Sequence, residues 1–472
     1  MRRFIGRAHE LGVLRDALTR LRSNAEQPGE CILIRGRRRV GKSSLVEEFL
    51  RTAEVPYVFF TAAGQSAEDE LTELAEAVAA SNLPDREVFA EEAPTQWSAA
   101  LRLLADLLPD DQPSVVVIDE VPYLMARVDA FEGVLQRAWD RLFSRKPVLL
   151  LLVGSDLSMM ESLNSYQRPF HQRGREMVVG PLTPADLADM LDLQPAVAFD
   201  AALVTGGLPL ICRDWRPGGT LRDFLKASLS DPTSALLVSA ERSLAAEFPP
   251  QALGAEVLRV IGSGERTFSN IARSAGGLAH TSLTRAMQVL TDKGIVVAEL
   301  PVSLRPSKER RYRIADPYLR FWLTFLAPHM AEIERMRGDL TLVRIKEKWS
   351  SWRGRAVEPL IRESLARMLP DDQLPAAPVV GGYWTRSNDV EVDLVGADRG
   401  PVAKELLFLG SIKWLDNSRF DDRDLAALQR HRGVLTDDPV PLVAVSRNGV
   451  TAKGLDAVYQ PAELLAAWNR RS

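Results

Sequence analysis

Cysteine is scarce. Cys31 and Cys212 are the only two in 472 residues, enough for one bridge at most, which excludes a disulfide-built fold and fits a reducing compartment. The five histidines, His9, His171, His280, His329 and His431, are scattered along the chain and form no metal-ligand spacing. Long apolar runs are missing too. The longest aliphatic stretch, VLLLLV from Val148 to Val153, falls far short of the ~20 residues that span a bilayer. Arg2-Arg3 is followed by polar residues rather than the apolar stretch an export signal requires, so a cytoplasmic protein with no membrane partner is expected. Neither charge sign dominates, with 59 Lys and Arg against 63 Asp and Glu.

What is present is a globular composition, 46% hydrophobic and 26% charged, in a chain long enough for roughly two to four domains. Charge is locally uneven. From Val257 to Arg320 eleven Lys and Arg face five Asp and Glu, which suits an anionic partner.

CILIR, from Cys31 to Arg35, has the apolar run of a buried parallel strand. It feeds GRRRVGKSS (Gly36 to Ser44), a G-x-x-x-x-G-K-[ST] string that opens a helix bearing Leu45, Phe49 and Leu50 on one side. Glycines let such a loop curl its amides around phosphates at the positive end of the helix. ATP is thus the expected cofactor, with Gly36, Arg37, Arg38, Arg39, Val40, Gly41, Lys42, Ser43 and Ser44 as the cradle. Lys42 would reach the β- and γ-phosphates, and the Ser43 hydroxyl would ligate Mg²⁺. SVVVIDE closes a second strand on Asp119, a partner for the magnesium, and Glu120, placed to polarise the attacking water. PVLLLLVGS ends a third strand on Ser155, a candidate sensor of the γ-phosphate. Arg37, Arg38 and Arg39 need not touch ATP, because backbone cradling turns them outward. They read either as a solvated basic loop or as a contact with a neighbouring domain, subunit or nucleic acid.

These strings resemble the archaeal-type P-loop ATPase family, related to the AAA and signal-transducing NTPases, along nearly the whole chain. FIGRAHELGVL is similar to that family's opening box, which implies Gly6 and Arg7 near the nucleotide. TGGLPLI resembles its lid turn, which implies Gly207 and Pro209 by the adenine. RPFHQRGRE is similar to the segment that ends in a catalytic arginine, which implies Arg173, with Arg168 and Arg175 as neighbours. The fold expected is an α/β P-loop NTPase core (1–178), a helical lid (179–250, with Pro249-Pro250 as the boundary), a winged helix (251–315) and an α/β restriction-endonuclease-like C-terminal domain (316–472).

The winged helix is read from three helical runs followed by IVVAELPV and RRYRIAD as a hairpin. Thr284, Arg285 and Gln288 would be exposed on the third helix, able to reach bases or phosphates, and the wing would add Arg305, Lys308, Arg310 and Arg311. Nucleic acid, DNA before RNA, is the expected partner, with a second copy of the chain as another. A protein-docking role for the same module stays open. In the last third the resemblance implies a magnesium-dependent nuclease layout with Glu358, Asp393 and Lys413, but Ser411 stands where a carboxylate is expected. Glu405 is too distant along its strand to substitute, and Glu391 shares a face with Asp393. A binding or structural domain is favoured over active cleavage.

Overall fold

The computed structural model describes residues 4–23, 29–92, 94–166, 168–247, 253–264, 266–387 and 389–469. The expected boundary at Pro249-Pro250 lies outside the described residues. The chain divides into two compact units, 1–181 and 182–472.

The first unit is built on five parallel strands, β1 (Glu30–Arg35), β2 (Tyr57–Thr61), β3 (Ser114–Asp119), β4 (Val148–Gly154) and β5 (Arg175–Val178), in the order β2-β3-β4-β1-β5. VVVI and VLLLLV can sit at its centre because strands covered on both faces need no polar alternation; every residue of β3 and β4 is buried. This order inserts β4 between β1 and β3. The loop after β1, the acidic end of β3 and the end of β4 therefore meet at one edge, the carboxyl end of the strands, where open α/β sheets place their ligands.

The second unit begins with short helices from Pro184–Leu191 to Ala235–Glu247 and continues with Leu253–Gly262, Phe268–Ser274 and His280–Asp292, then the hairpin β6 (Val296–Glu299) and β7 (Arg311–Ile314). The earlier helices and the three before the hairpin share one core, in which Leu187, Trp215 and Phe224 join Ile271, Leu283, Met287, Tyr318 and Phe321. A helix, Gly338–Met368, then crosses to a second sheet of order β12-β11-β10-β9-β8. That sheet comprises β8 (Val379–Trp384), β9 (Glu391–Ala397), β10 (Leu406–Lys413), β11 (Leu442–Ser446) and β12 (Ala457–Tyr459). Alternation decides its faces: Leu394, Phe408, Val443 and Val445 pack with the long helix, while Val395, Leu409, Leu442 and Ala444 pack with helix Asp422–Leu435.

A buried ionic knot fixes how these parts meet. Asp200, on helix Pro195–Thr205, accepts from Arg353 of the long helix at 3.2 Å and from Arg447 at 2.9 Å. Arg353 also donates to Asp416 at 2.9 Å and to the Trp414 carbonyl at 3.3 Å. Among the described residues no helix is long and apolar enough to cross a membrane.

Candidate nucleotide site and a rebuilt carboxylate site

Glycine is required at the mouth of the loop. A Cβ on Gly36 would stand 2.3 Å from the Val179 carbonyl oxygen, and Gly41 takes φ +92° just before helix Lys42–Ala53. The loop is fastened from outside its own sequence. Arg7, itself buried and at φ +63°, donates to the carbonyls of Val40 at 2.9 Å and Gly180 at 2.6 Å and pairs with Glu10 at 3.2 Å. Arg7 thus ties the loop to the chain beyond β5, and Gly6 before it takes φ +77°. The Lys42 ammonium donates to the carbonyls of Gly36 at 2.9 Å and Arg37 at 3.2 Å. Burial pulls its pKa down against the opposing pull of Glu120 and Asp119.

Across β4, the Ser43 hydroxyl donates to Asp119 Oδ2 at 2.7 Å. Asp119 is buried, and that burial raises its pKa, partly offset by the Ser43 hydrogen bond. The next residue turns away. Glu120 takes φ 54°, ψ 41°, so its side chain leaves the strand direction and its Oε2 accepts from Ser155 Oγ at 2.8 Å and Ser155 N at 3.3 Å. Ser155 therefore holds Glu120. The donor set suits Mg²⁺, because a hydroxyl and a buried carboxylate are hard oxygen ligands held in contact. The glycine-cradled amides and Lys42 suit a polyphosphate.

Of the three loop arginines, all exposed, Arg38 donates to the Tyr123 hydroxyl at 3.1 Å, which links the loop to the helix after Glu120. Ser44 lies one residue into the helix beyond Ser43, partly buried. Sequence reasoning missed Glu70. Its buried carboxylate accepts from the amides of Ala63, Gly64 and Gln65 at 2.6–3.3 Å, ordering the turn after β2 on which Tyr123 packs. An acid in the first turn of helix Ala67–Ala79, just beyond a strand end, was the available signal.

Arg173 stands away from the phosphate loop of its own chain. It precedes β5, whose Arg175 is level with Ile32, and the neighbouring Gly174 packs on Cys31 and Leu33. That is the amino end of β1, roughly 15 Å along the strand from the phosphate loop. Its guanidinium is clamped on Asp140 at 2.7 and 2.9 Å. Arg168 is likewise paired, with Glu132 at 2.6 Å. Gly207 and Pro209 lie in the second unit, where the carbonyl of Gly207, at φ +66°, accepts from the Leu182 amide at 2.8 Å. A Cβ there would meet the Leu182 oxygen at 2.1 Å, so this glycine is demanded by packing.

On helix His280–Asp292, Thr284, Arg285 and Gln288 face outward, as do Arg305, Lys308 and Arg310 before and at the start of β7. Arg311 does not. It is 7% exposed, pairs with Glu391 at 2.5 Å and lies over the Trp384 ring at 4.5 Å. The chain between β6 and β7 is docked on the second sheet. The Val302 amide donates to Gly382, Trp384 Nε1 donates to the Glu309 carbonyl at 2.7 Å, and Ser303 bridges to Val402. The expectation that Arg311 contacts phosphate fails because its charge is already spent within the fold.

Glu358, Asp393 and Lys413, the possible second metal site, are each engaged by other groups of the protein. Among the described residues no group of three metal-ligating side chains comes together. Arg362, four residues after Glu358, donates to the Glu358 carboxylate at 3.1 Å and to the Asp393 backbone carbonyl at 2.9 Å. Asp393 accepts from Ser411 Oγ at 3.0 Å and the Ile412 amide at 2.8 Å, while Lys413 turns to Asp424 at 2.8 Å. Ser411 is thus a donor to Asp393 rather than a gap in a ligand set. Burial raises Asp393 and pushes Glu358 up to about 7. With Glu358 higher folded than unfolded, the folded state binds the extra proton between those values, so its share of stability declines as pH rises from about 4.5 to 7. Glu358→Gln is expected to flatten that part of the unfolding-midpoint profile; an unchanged slope would refute the assignment.

Residues 3–152 match the AAA ATPase domain, and residues 322–425 match a domain of archaeal and bacterial proteins of unknown function. The first match ends within β4, before Ser155 and Arg173. An uncharacterized protein of Methanocaldococcus jannaschii, MJECL04, is 24% identical over 434 residues, covering 90% of each chain. Among solved structures, the Walker-type ATPase PABY2304 of Pyrococcus abyssi is 20% identical, covering 68% of this chain and 96% of that one with a TM-score of 0.48. The Aeropyrum pernix ORC2 protein in its ADPNP–ADP complexes is 15% identical, covering 71% and 96% with a TM-score of 0.45.

Proposed function

We propose that this chain, an ATPase of the archaeal P-loop type whose AAA domain is joined to a hairpin-bearing helical module and a second sheet, uses its nucleotide state to control binding to nucleic acid. The observation that carries the catalytic part is the line Ser43–Asp119, Glu120–Ser155 beside the glycine-bracketed loop. In this reading the loop amides and Lys42 bind the phosphates, and Ser43 and Asp119 hold Mg²⁺. Bound magnesium offsets charge on the phosphoryl oxygens. Glu120 accepts a proton from the attacking water once Ser155 releases it, and Ser155 is the group poised to register the γ-phosphate. Arg173, held at the far end of β1, fits donation to a second copy's site.

The nucleic-acid part rests on the exposed Thr284, Arg285, Gln288, Arg305, Lys308 and Arg310. Its test is the affinity of the full chain for duplex DNA with ATP, ADP or no nucleotide. Different affinities in the three states are expected; equal ones would defeat coupling, since only differential binding shifts a switch. A second reading, a signalling or scaffold ATPase, is favoured by the way the hairpin connection docks on protein through Glu309, Arg311 and Trp384. Absence of DNA binding at low salt would favour it. Cleavage by the C-terminal domain is disfavoured, because Ser411 stands where a carboxylate would be needed and Arg362 pairs with Glu358.

A further inference from the structure

The charges packed around Glu358 do not balance. Six guanidiniums, of Arg266, Arg311, Arg313, Arg320, Arg355 and Arg362, act on one another and on the four carboxylates of Glu299, Glu358, Glu391 and Asp393. Four of the cations have acidic partners. Arg311 takes Glu391 at 2.5 Å, Arg313 takes Glu299 at 2.6 Å, Arg362 takes Glu358 at 3.1 Å, and Arg266 reaches Glu391 only at 3.7 Å. Among the described residues Arg320 and Arg355 make no ion pair.

Arg320 is positioned by a defect in the long helix. Pro359 has no amide to give the carbonyl four residues before it, and that orphaned carbonyl, of Arg355, accepts from Arg320 at 3.3 Å. Trp352 lies beneath the same guanidinium at 5.9 Å. Burial lowers Arg320 to about 10, which leaves it fully cationic at neutral pH. Charges partly withdrawn from water are ordinarily paired, and among the described residues no carboxylate forms an ion pair with half-buried Arg320. Arg362 packs directly over Gly382, where a Cβ would stand 2.6 Å from its Nη2. The side chain of Arg355 is open to solvent, and the chain runs from Arg311 straight into exposed Arg310.

We propose that this cluster is a phosphate-binding site, in which Arg320 and Arg355, with Arg266 beside them, take a phosphate of a nucleic-acid strand. Guanidinium forks match phosphate oxygens two at a time, and a partly desolvated fork binds them more strongly than a surface lysine. The site needs only residues of the second unit. It therefore stands or falls separately from nucleotide control by the first.

The test compares the full-length chain with its Arg355→Gln, Arg320→Gln and Arg355→Lys variants, using fluorescence anisotropy of short labelled single strands and duplexes over a salt series. A calorimetric arm titrates inorganic phosphate into full-length Lys42→Ala, with and without Arg355→Gln. The expected result is about tenfold weaker oligonucleotide binding for Arg355→Gln and a salt slope smaller by about one, with partial recovery in Arg355→Lys. An unchanged unfolding midpoint in the exposed Arg355→Gln variant separates this loss from misfolding. Phosphate heat that disappears with Arg355→Gln while oligonucleotide binding is unaffected assigns the same site to a free phosphate. Oligonucleotide binding that neither glutamine variant alters, with no phosphate heat, overturns the site while leaving the nucleic-acid reading intact. No binding of either probe by the parent chain overturns both.

Discussion

Glu120→Gln is expected to bind ATP as the parent chain does and to hydrolyse it about 10²- to 10⁴-fold more slowly, the usual contribution of a positioned base. The backbone singles this residue out. Asp119 ends β3 with its carboxylate on Ser43, and a left-handed φ of 54° at the next residue sends Glu120 to Ser155 instead. Two adjacent acids thereby receive different tasks: one buried against the hydroxyl that would share the metal, the other partly open and held by a single serine. Glutamine keeps the size and the acceptor for Ser155 but cannot take a proton. Single-turnover hydrolysis alongside nucleotide binding reads both quantities. Parent-like turnover would move the base to another residue.

The second large effect concerns stability. Asp200→Ala would leave the guanidiniums of Arg353 and Arg447 facing each other's charge, with Asp416 the one carboxylate remaining to them among the described residues. The side chain of Arg353 is 2% exposed and that of Asp200 5%. Removing one partner of a buried ionic group costs about 3–5 kcal/mol. The loss falls on the second unit, because the knot joins helix Pro195–Thr205, the long helix and the residues following β10 and β11. Denaturant unfolding, with amide exchange in helix Pro195–Thr205, checks it. A shift below about 1 kcal/mol would show that Arg353 and Arg447 find water or other acceptors and that the knot is not structural.

The nucleotide site was largely legible in sequence because its signals are local. A glycine pair brackets a loop between an apolar strand and a helix, and two further apolar strands end in Asp119-Glu120 and Ser155. What lay outside reach was the fastening of the site by distant chain. Arg7 ties Val40 to Gly180, and Glu70 orders the turn beside Tyr123; neither pairing leaves a trace in spacing. Arg173 follows from resemblance, and the β1–β5 register is what shows its distance from its own phosphate loop.

In the last third, the sequence pattern offers Glu358, Asp393 and Lys413 as a possible metal site, with Ser411 in place of a carboxylate. Arg362, spaced i,i+4 from Glu358, was visible in the sequence, but charge spacing on a helix cannot say whether an arginine turns toward a carboxylate or toward solvent. Arg311 shows the same limit: a basic residue beginning a hairpin strand looks available until the partner sheet, with Glu391 and Trp384, is in place.

The central claim is that the amides from Gly36 to Ser43, with Lys42, Ser43 and Asp119, enclose a magnesium–nucleotide complex. Calorimetric titration of Mg·ATP into the full-length chain and into Lys42→Ala tests it most directly. One saturable site in the parent, weakened by chelating the magnesium and lost in Lys42→Ala, is the predicted result. No binding by the parent, or equal binding by Lys42→Ala, would contradict it.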